Sequence, residues 1–331
     1  MKNKKGLVIL IVIVVLVLSS VVLGLFTEGD SEAEKKAMNS KPSIVRIEKT
    51  FGIGKDAPHP KIKKDYVAVL HIDGVISESN KTYNQKWLLK TIDNLKEDKK
   101  NLGILLFIDS PGGTVYEADE AYLKLLEYKK ETDRPVYAYF ASLAASGGYY
   151  IGCAAGKIFA NRNTLTGSIG VICGSSVDAT GLLDKMGIKS TTFTAGRNKN
   201  MLNYNSPLTE EQREIMQSVA DDAYEQFTGI VAESRKKDIG YIKTLADGRI
   251  YTASQAKSNG LVDDICSLSE AKDKISEEID FDGNFEDFKY EFEETFLRSL
   301  MNSLSFISSP KAFFDEVRGS ASPIKLNYMA Y

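Results

Sequence analysis

Residues 6–26 carry no charged side chain, and no other feature limits the chain's options as strongly. Twenty-one helical residues at about 1.5 Å each reach about 30 Å, the hydrocarbon thickness of a bilayer. The run is mostly Leu, Val and Ile, interrupted by Ser19, Ser20 and two glycines. A secretory signal has a shorter apolar core and an Ala-x-Ala-like exit. This run is longer, has no clear exit of that kind and is followed by no cysteine for lipid attachment, although Ser19 and Ser20 leave cleavage open. The expectation is an uncleaved single transmembrane helix, with residues 1–27 forming a basic stub and anchor. Lys2, Lys4 and Lys5 precede the span, and Glu28, Asp30, Glu32 and Glu34 follow it. The lysines place the N-terminus in the cytoplasm and the body of the chain outside, at the cell membrane.

Beyond the span the chain is ordinary. With 42 Lys+Arg against 45 Asp+Glu the net charge is −3, which argues against a nucleic-acid partner. The balance of 43% hydrophobic and 26% charged residues excludes a wholly disordered or fibrous chain. Cys153, Cys173 and Cys266 are odd in number and irregularly spaced, so a disulfide framework is not expected. Cys153 and Cys173 sit in apolar runs and read as buried small hydrophobes.

Residues 28–64 read as a linker, acidic then Lys-rich, with Pro42, Pro58 and Pro60. From residue 65 the pattern changes. Residues 66–72 form a buried-strand run stopped by Asp73 and Gly74, and Trp87, Leu88, Ile92 and Leu95 recur at helical spacing. Residues 102–108 are a second apolar strand, residues 116–130 a helix and residues 136–140 a third strand. The alternation implies an α/β sheet with helices packed against it. It continues past residue 190, where residues 191–194 read as another strand. Thr209 with Gln212 opens a long helix to about residue 236. Thr252 with Gln255 opens a short one ended by Gly260.

The chemistry is narrowed by what is scarce. There are two histidines: His59 between prolines in the linker, and His71 within a strand, where a structural role is expected. A Ser-His-Asp triad would need one of them. No Cys/His cluster has zinc spacing and no phosphate-binding Gly-x-x-x-x-Gly-Lys loop occurs, so neither a metal nor a cofactor is expected. Two glycine-marked turns remain, Asp109-Ser110-Pro111-Gly112-Gly113 and Ala144-Ala145-Ser146-Gly147-Gly148, each after a strand. Strand carboxyl ends are where α/β sheets place sites. A serine there has its hydroxyl in the field of helix N–H groups, which can also hold an oxyanion. Equally, Ser146 is an N-cap and the glycines are turns. A serine nucleophile without histidine needs another base, and lysine serves when it sheds its proton, which requires a pKa well below about 10.4. Lys199, after a Gly turn at Gly196, is one candidate among many lysines.

Several blocks in order resemble one family. Ser110-Pro111-Gly112-Gly113, Ala144 to Tyr150, Thr166-Gly167-Ser168-Ile169-Gly170-Val171, Ala246 to Tyr251 and Ala256 to Asp263 are similar to the signal peptide peptidase A family, peptidase family S49. The resemblance covers about residues 65–270. It implies a ClpP/crotonase-like α/β fold for a peptidase domain over residues 65–300, followed by a tail over 301–331. It also implies a membrane-anchored serine endopeptidase with a Ser/Lys dyad that degrades remnant signal peptides. The family's nucleophile falls on Ser146 and its general base on Lys199, 53 positions later. Oxyanion donors fall near Gly113 and Gly147. The family assembles into homo-oligomers in which serine and lysine can come from neighbouring subunits, and the length matches its short, single-repeat form. The match is imperfect. Ala141-Ser142-Leu143 departs from the commonest family sequence, and Asn200 leaves the base without an adjacent carboxylate, with Arg197 nearby to disfavour its charged form.

Two other classes share such a fold: a crotonase-like acyl-CoA enzyme, which an outward-facing anchor separates from cytoplasmic CoA, and a non-catalytic tethered oligomeric scaffold. Residues 319–331 mix small and apolar side chains, including Gly319, Ala321, Ile324, Leu326, Met329 and Ala330. Such a tail reads as a disordered or packing segment, or as one that occupies an apolar substrate groove and is trimmed by the enzyme itself.

Overall fold

A computed structural model of the chain describes residues 62–292 and the backbone of residues 327–329. The expected anchor, nearly all of the linker and most of the tail lie outside the described residues. Among those described, no helix is long and apolar enough to cross a membrane.

The two apolar runs become the central strands. β1 (Tyr66–Asp73) and β2 (Asn101–Ser110) pair in parallel, Val67 opposite Gly103 through Asp73 opposite Asp109. Both faces of β1 are buried through Leu70, which is why the run is continuously apolar rather than alternating. Its even residues Tyr66, Ala68, Leu70 and Ile72 enter one core cluster, and Val67 and Val69 enter a second on the opposite face. Each fully buried Leu or Ile contributes about 1.5–3 kcal/mol.

The first core lies between the sheet and α1 (Gln85–Glu97), α2 (Val115–Thr132), α3 (Gly147–Gly152) and α5 (Glu210–Arg235). Asn84 caps α1, its side chain accepting from the Trp87 N–H at 2.9 Å. The two capping boxes open their helices as expected, at Thr209 for α5 and at Thr252 for α7 (Ala253–Ser258). A third, Ser267 with Glu270, opens α8 (Leu268–Glu278), whose Ala271 and Ile275 close the second core. Two short helices, α4 (Thr180–Lys185) and α6 (Ile239–Leu245), complete the helical set of the described residues.

The sheet runs β7 (Ile250–Thr252), β6 (Leu165–Gly167), β4 (Val136–Ala145), β2, β1, β9 (Asn284–Phe288), parallel except for β6 against β7. It forks at β4. Residues 137–140 of β4 pair with β5 (Lys157–Ala160), which carries β8 (Asp264–Ile265), whereas residues 143–145 pair with β6. Backbone groups released at the fork find side-chain partners, as buried ones must. The Thr164 hydroxyl reaches the carbonyls of Phe140 (2.9 Å) and Ala141 (2.6 Å), and the Leu143 N–H donates to Asp109 Oδ1 at 3.0 Å.

His71 is structural. Its Nε2 lies 2.9 Å from Asp287 Oδ1, tying β9 to β1, and its ring packs on Phe107 at 4.8 Å. All three cysteines are free; Cys153 and Cys173 are buried, and burial pushes the Cys153 thiol up to about 12. The strand expected over residues 191–194 does not form. Those residues are exposed coil with no neighbouring strand to pair with, so their β-branched composition has nothing to pack against.

Candidate active site

β4 ends at Ala145, and the chain turns at once into α3, leaving Ser146 as the N-cap. Its backbone is at φ 54°, ψ −117°, neither helical nor extended. Non-glycine residues hold such angles only where the surroundings impose them. Here the Ser146 N–H donates to the Gly167 carbonyl at 2.8 Å, and its own carbonyl accepts from the Tyr150 N–H at 2.9 Å. Ser146 is 1% exposed, and among the described residues its Oγ has no hydrogen-bond partner. A buried hydroxyl without a partner is rare in native structures; one on a strained strand-to-helix turn is the arrangement of an activated nucleophile.

The other glycine turn is beside it. α3 packs against β3 (Gly112–Thr114), and the fit is tight: a Cβ on Gly148 would lie 3.0 Å from the Ser110 carbonyl oxygen. The Ser110 hydroxyl donates to the Gly74 carbonyl (2.6 Å) and accepts from the Gly112 N–H (3.1 Å), fixing the turn into β3. Ile76 then aligns β3. Its N–H donates to the Gly112 carbonyl at 2.9 Å, and its carbonyl accepts from the Thr114 N–H at 3.0 Å. Because backbone groups alternate along a strand, the N–H and C=O of Gly113 point the opposite way. No side chain fits at Gly113, where a Cβ would lie 1.8 Å from the Ile76 oxygen.

That opposite side of β3 is paired. β10 (Asn327–Met329) runs antiparallel to it, with Tyr328 opposite Gly113, Asn327 opposite Thr114 and Met329 opposite Gly112. Three residues of the tail thus lie as an added strand against the turn that flanks Ser146. Gly147 is the first residue of α3, where helix N–H groups have no intrahelical acceptor.

Lys199 is placed differently. It follows the turn at Gly196, its N–H donating to the Gly196 carbonyl at 3.1 Å, but the preceding residues are coil rather than strand. It is exposed, on a segment whose apolar side chains are also exposed: Val177 67%, Leu182 61%, Met186 63% and Phe193 93%. α4, in this segment, has no buried residue. Within one chain the structure unites Ser146, Gly147 and the Gly113 turn, and it does not bring Lys199 into hydrogen-bond contact with Ser146 Oγ. Arg197, expected to act on Lys199 through its charge, is ion-paired with Glu211 in the first turn of α5, so its charge is offset. Among the described residues no His, Cys, Asp and Glu cluster is arranged to hold a metal ion.

Ser168, in the Thr166-Gly167-Ser168 block, also lies at the site. It follows Gly167, the acceptor of the Ser146 N–H, is 8% exposed and holds φ at 49°. The sequence signal was present in Thr166-Gly167-Ser168, but a positive φ at serine is visible only in the fold.

Comparison with known proteins follows this geometry. The family model for peptidase family S49 matches residues 128–282. A protein of Enterococcus faecium, provisionally named as signal peptide peptidase SppA, is 35% identical over 80% of this chain and 78% of its own length. The chloroplastic serine protease SPPA of Arabidopsis thaliana is 34% identical over 62% of this chain and 30% of its own. Among solved structures, a ClpP1 mutant from Listeria monocytogenes aligns with TM-score 0.40 and 19% identity, over 61% of this chain and 92% of that one. The family model and the identity to a relative matched over more than three quarters of its length mean that the chain belongs to peptidase family S49 and is a serine protease.

Proposed function

We propose that the chain is a membrane-anchored serine endopeptidase whose dyad is Ser146 and Lys199 and whose substrates are signal-peptide remnants. The observation that carries this reading is the buried, unpartnered Ser146 hydroxyl on its strained turn. Neutral Lys199 takes the Ser146 proton as Oγ attacks the peptide carbonyl. The N–H groups of Gly113 and Gly147 hold the tetrahedral oxyanion. Collapse breaks the C–N bond, and the leaving amine takes the proton from Lys199. Lys199, neutral again, deprotonates a water that attacks the acyl-enzyme ester, and Ser146 Oγ leaves taking that proton back from Lys199. The pairing of β10 on β3 supports an extended peptide as the substrate form, since the same edge would receive a substrate strand. The uncharged run at residues 6–26 supports a site held near membrane-borne apolar peptides. Membership of a peptidase family favours this reading over an acyl-CoA enzyme or a scaffold.

The same proposal includes assembly. Lys199 sits on a segment that leaves its apolar residues uncovered, and Ser146 Oγ has no hydrogen-bond partner among the described residues. A second copy supplying Lys199 to Ser146 meets both conditions. The test uses the detergent-solubilised full chain and a fluorogenic peptide. Ser146→Ala and Lys199→Ala should each abolish hydrolysis, and a mixture assembled from both should regain part of it. Wild-type rates in either single variant refute the dyad. An inactive mixture refutes sharing between copies.

A further inference from the structure

Tyr150 stands one turn beyond the nucleophile, and its two ends touch different parts of the site. Its backbone N–H donates to the Ser146 carbonyl at 2.9 Å. Its side chain is fully buried, edge-on to Tyr122 of α2 (centroids 5.5 Å, 79°) and 5.1 Å from Phe227 of α5. At the far end the hydroxyl donates to Asp119 Oδ1 at 2.6 Å and accepts from Gln226 Nε2 at 2.7 Å. Asp119 lies on α2, which begins directly after β3. Gln226 lies on α5, which follows the segment bearing Lys199. One oxygen atom therefore joins the nucleophile helix to the helix behind the oxyanion turn and to the helix behind the proposed base.

The place of Gln226 along α5 matters. The buried residues of α5 are Ala223, Phe227, Thr228 and Val231, so none lies between Glu210 and Asp222. The first half is held only by half-buried side chains, Ile215, Met216 and Ala220 among them, and Gln226 lies in the first turn of the buried half. From Gln226 to Glu210 is 16 residues, about 24 Å at 1.5 Å each, so a tilt of about 2–3° at Gln226 displaces the start of the helix by about 1 Å. A misplacement of about 1 Å between reacting groups can cost about 10²-fold in rate. Ring packing alone restrains such a tilt loosely, because apolar contact is not directional. A hydroxyl that donates to one helix and accepts from the other restrains it by geometry.

We propose that Tyr150 is a positioning residue of the protease: its hydroxyl, held between Asp119 and Gln226, sets the angle of α5 and with it the place of the Lys199 segment relative to the body that carries Ser146 and β3. The part concerning Lys199 rests on the dyad reading above. It applies whether Lys199 serves its own chain or a second copy, since the angle of α5 decides where the lysine lands in either case.

The test measures kcat, KM and Tm of the solubilised full chain on the fluorogenic peptide, with the rate at which a fluorophosphonate phosphonylates Ser146 Oγ, releasing fluoride, as a second reading. Tyr150→Phe keeps the ring and removes the oxygen; kcat and the phosphonylation rate should fall tenfold or more with KM within twofold. Gln226 is exposed, so Gln226→Ala spares the core and should lower kcat with Tm unchanged. Asp119→Asn keeps an acceptor for the hydroxyl and should recover most of the rate lost in Asp119→Ala. If Tyr150→Phe does not fold, Gln226→Ala and the Asp119 pair decide the matter alone. Wild-type kcat in Gln226→Ala, or equal loss in the two Asp119 variants, overturns the proposal. Full activity in Lys199→Ala would instead remove the dyad reading, and a slowed phosphonylation in Tyr150→Phe would then still stand as positioning of Ser146.

Discussion

Replacing Gly113 by alanine tests the oxyanion turn directly. The new Cβ would lie 1.8 Å from the Ile76 oxygen and 2.6 Å from the Ile76 carbonyl carbon, where real Cβ contacts do not fall below 3.0 Å. β3 must therefore retreat by at least 1.2 Å (3.0 − 1.8). The atoms in the way are backbone, so no side chain can swing aside. The retreat breaks the two hydrogen bonds that align β3, from Ile76 to Gly112 and from Thr114 to Ile76. At about 1 kcal/mol each, the loss is about 2 kcal/mol, which for a domain of this size lowers Tm by about 4–8 °C. The catalytic effect should be much larger. An oxyanion donor must lie about 2.7–3.1 Å from the developing charge, and removing one costs about 10²–10³ in kcat. We expect Gly113→Ala to lose that factor in kcat at a temperature well below its Tm, with KM little changed. Gly156→Ala, whose Cβ would meet the Val136 oxygen at an ordinary 3.8 Å, is the control and should retain wild-type kcat. A folded Gly113→Ala protein with kcat within about threefold of wild type would refute the assignment of Gly113.

Three further outcomes are expected. If the tail strand on β3 is a substrate held in place, purified wild type will have a shorter C-terminus than Ser146→Ala by intact mass; identical masses count against trimming. A lysine base must shed its proton, so kcat/KM should climb through alkaline pH, and a flat profile counts against Lys199. Asp264 is held well below the usual carboxylate range by hydrogen bonds from Lys257 (2.7 Å) and Lys274. Its folded pKa lies below the unfolded value of about 3.9, so its stabilisation is complete above that pH and is lost as the pH falls below it. The Tm of Asp264→Asn should thus sit slightly below wild type at pH 7, by at most about 1 kcal/mol of stability for so exposed a cluster, and converge with it in strong acid. An unchanged gap at pH 2 would show that the charge is not responsible.

Much of this protein is legible from residue order because the governing interactions are local. Continuous apolar runs with no alternation mark strands buried on both faces, and β1 and β2 form where the runs lie. The boxes at Thr209 and Thr252 need only four consecutive residues to satisfy helix N–H groups, and both open helices. That Ser146 stands on a turn between a strand and a helix was readable because a strand, a serine and paired glycines adjoin in sequence. The strand expected over residues 191–194 failed for the complementary reason: β structure requires a neighbour, and composition does not say whether one will be there.

The rest depended on groups far apart in the chain. That β4 changes partner midway is decided by Thr164 and Asp109, which satisfy the backbone where the sheet forks. That the Gly113 N–H faces away from the core is decided by Ile76, 37 residues earlier, which claims the alternate groups of β3. That Lys199 lies exposed while Ser146 is buried without a partner could be found only with both placed in space. Residue order alone determined where strands and helices begin and which serine stands on the turn, because those depend on neighbours within a few bonds. The tertiary structure alone decided which way each backbone group points and what it meets, because hydrogen bonds between distant segments exist only once the chain has closed on itself.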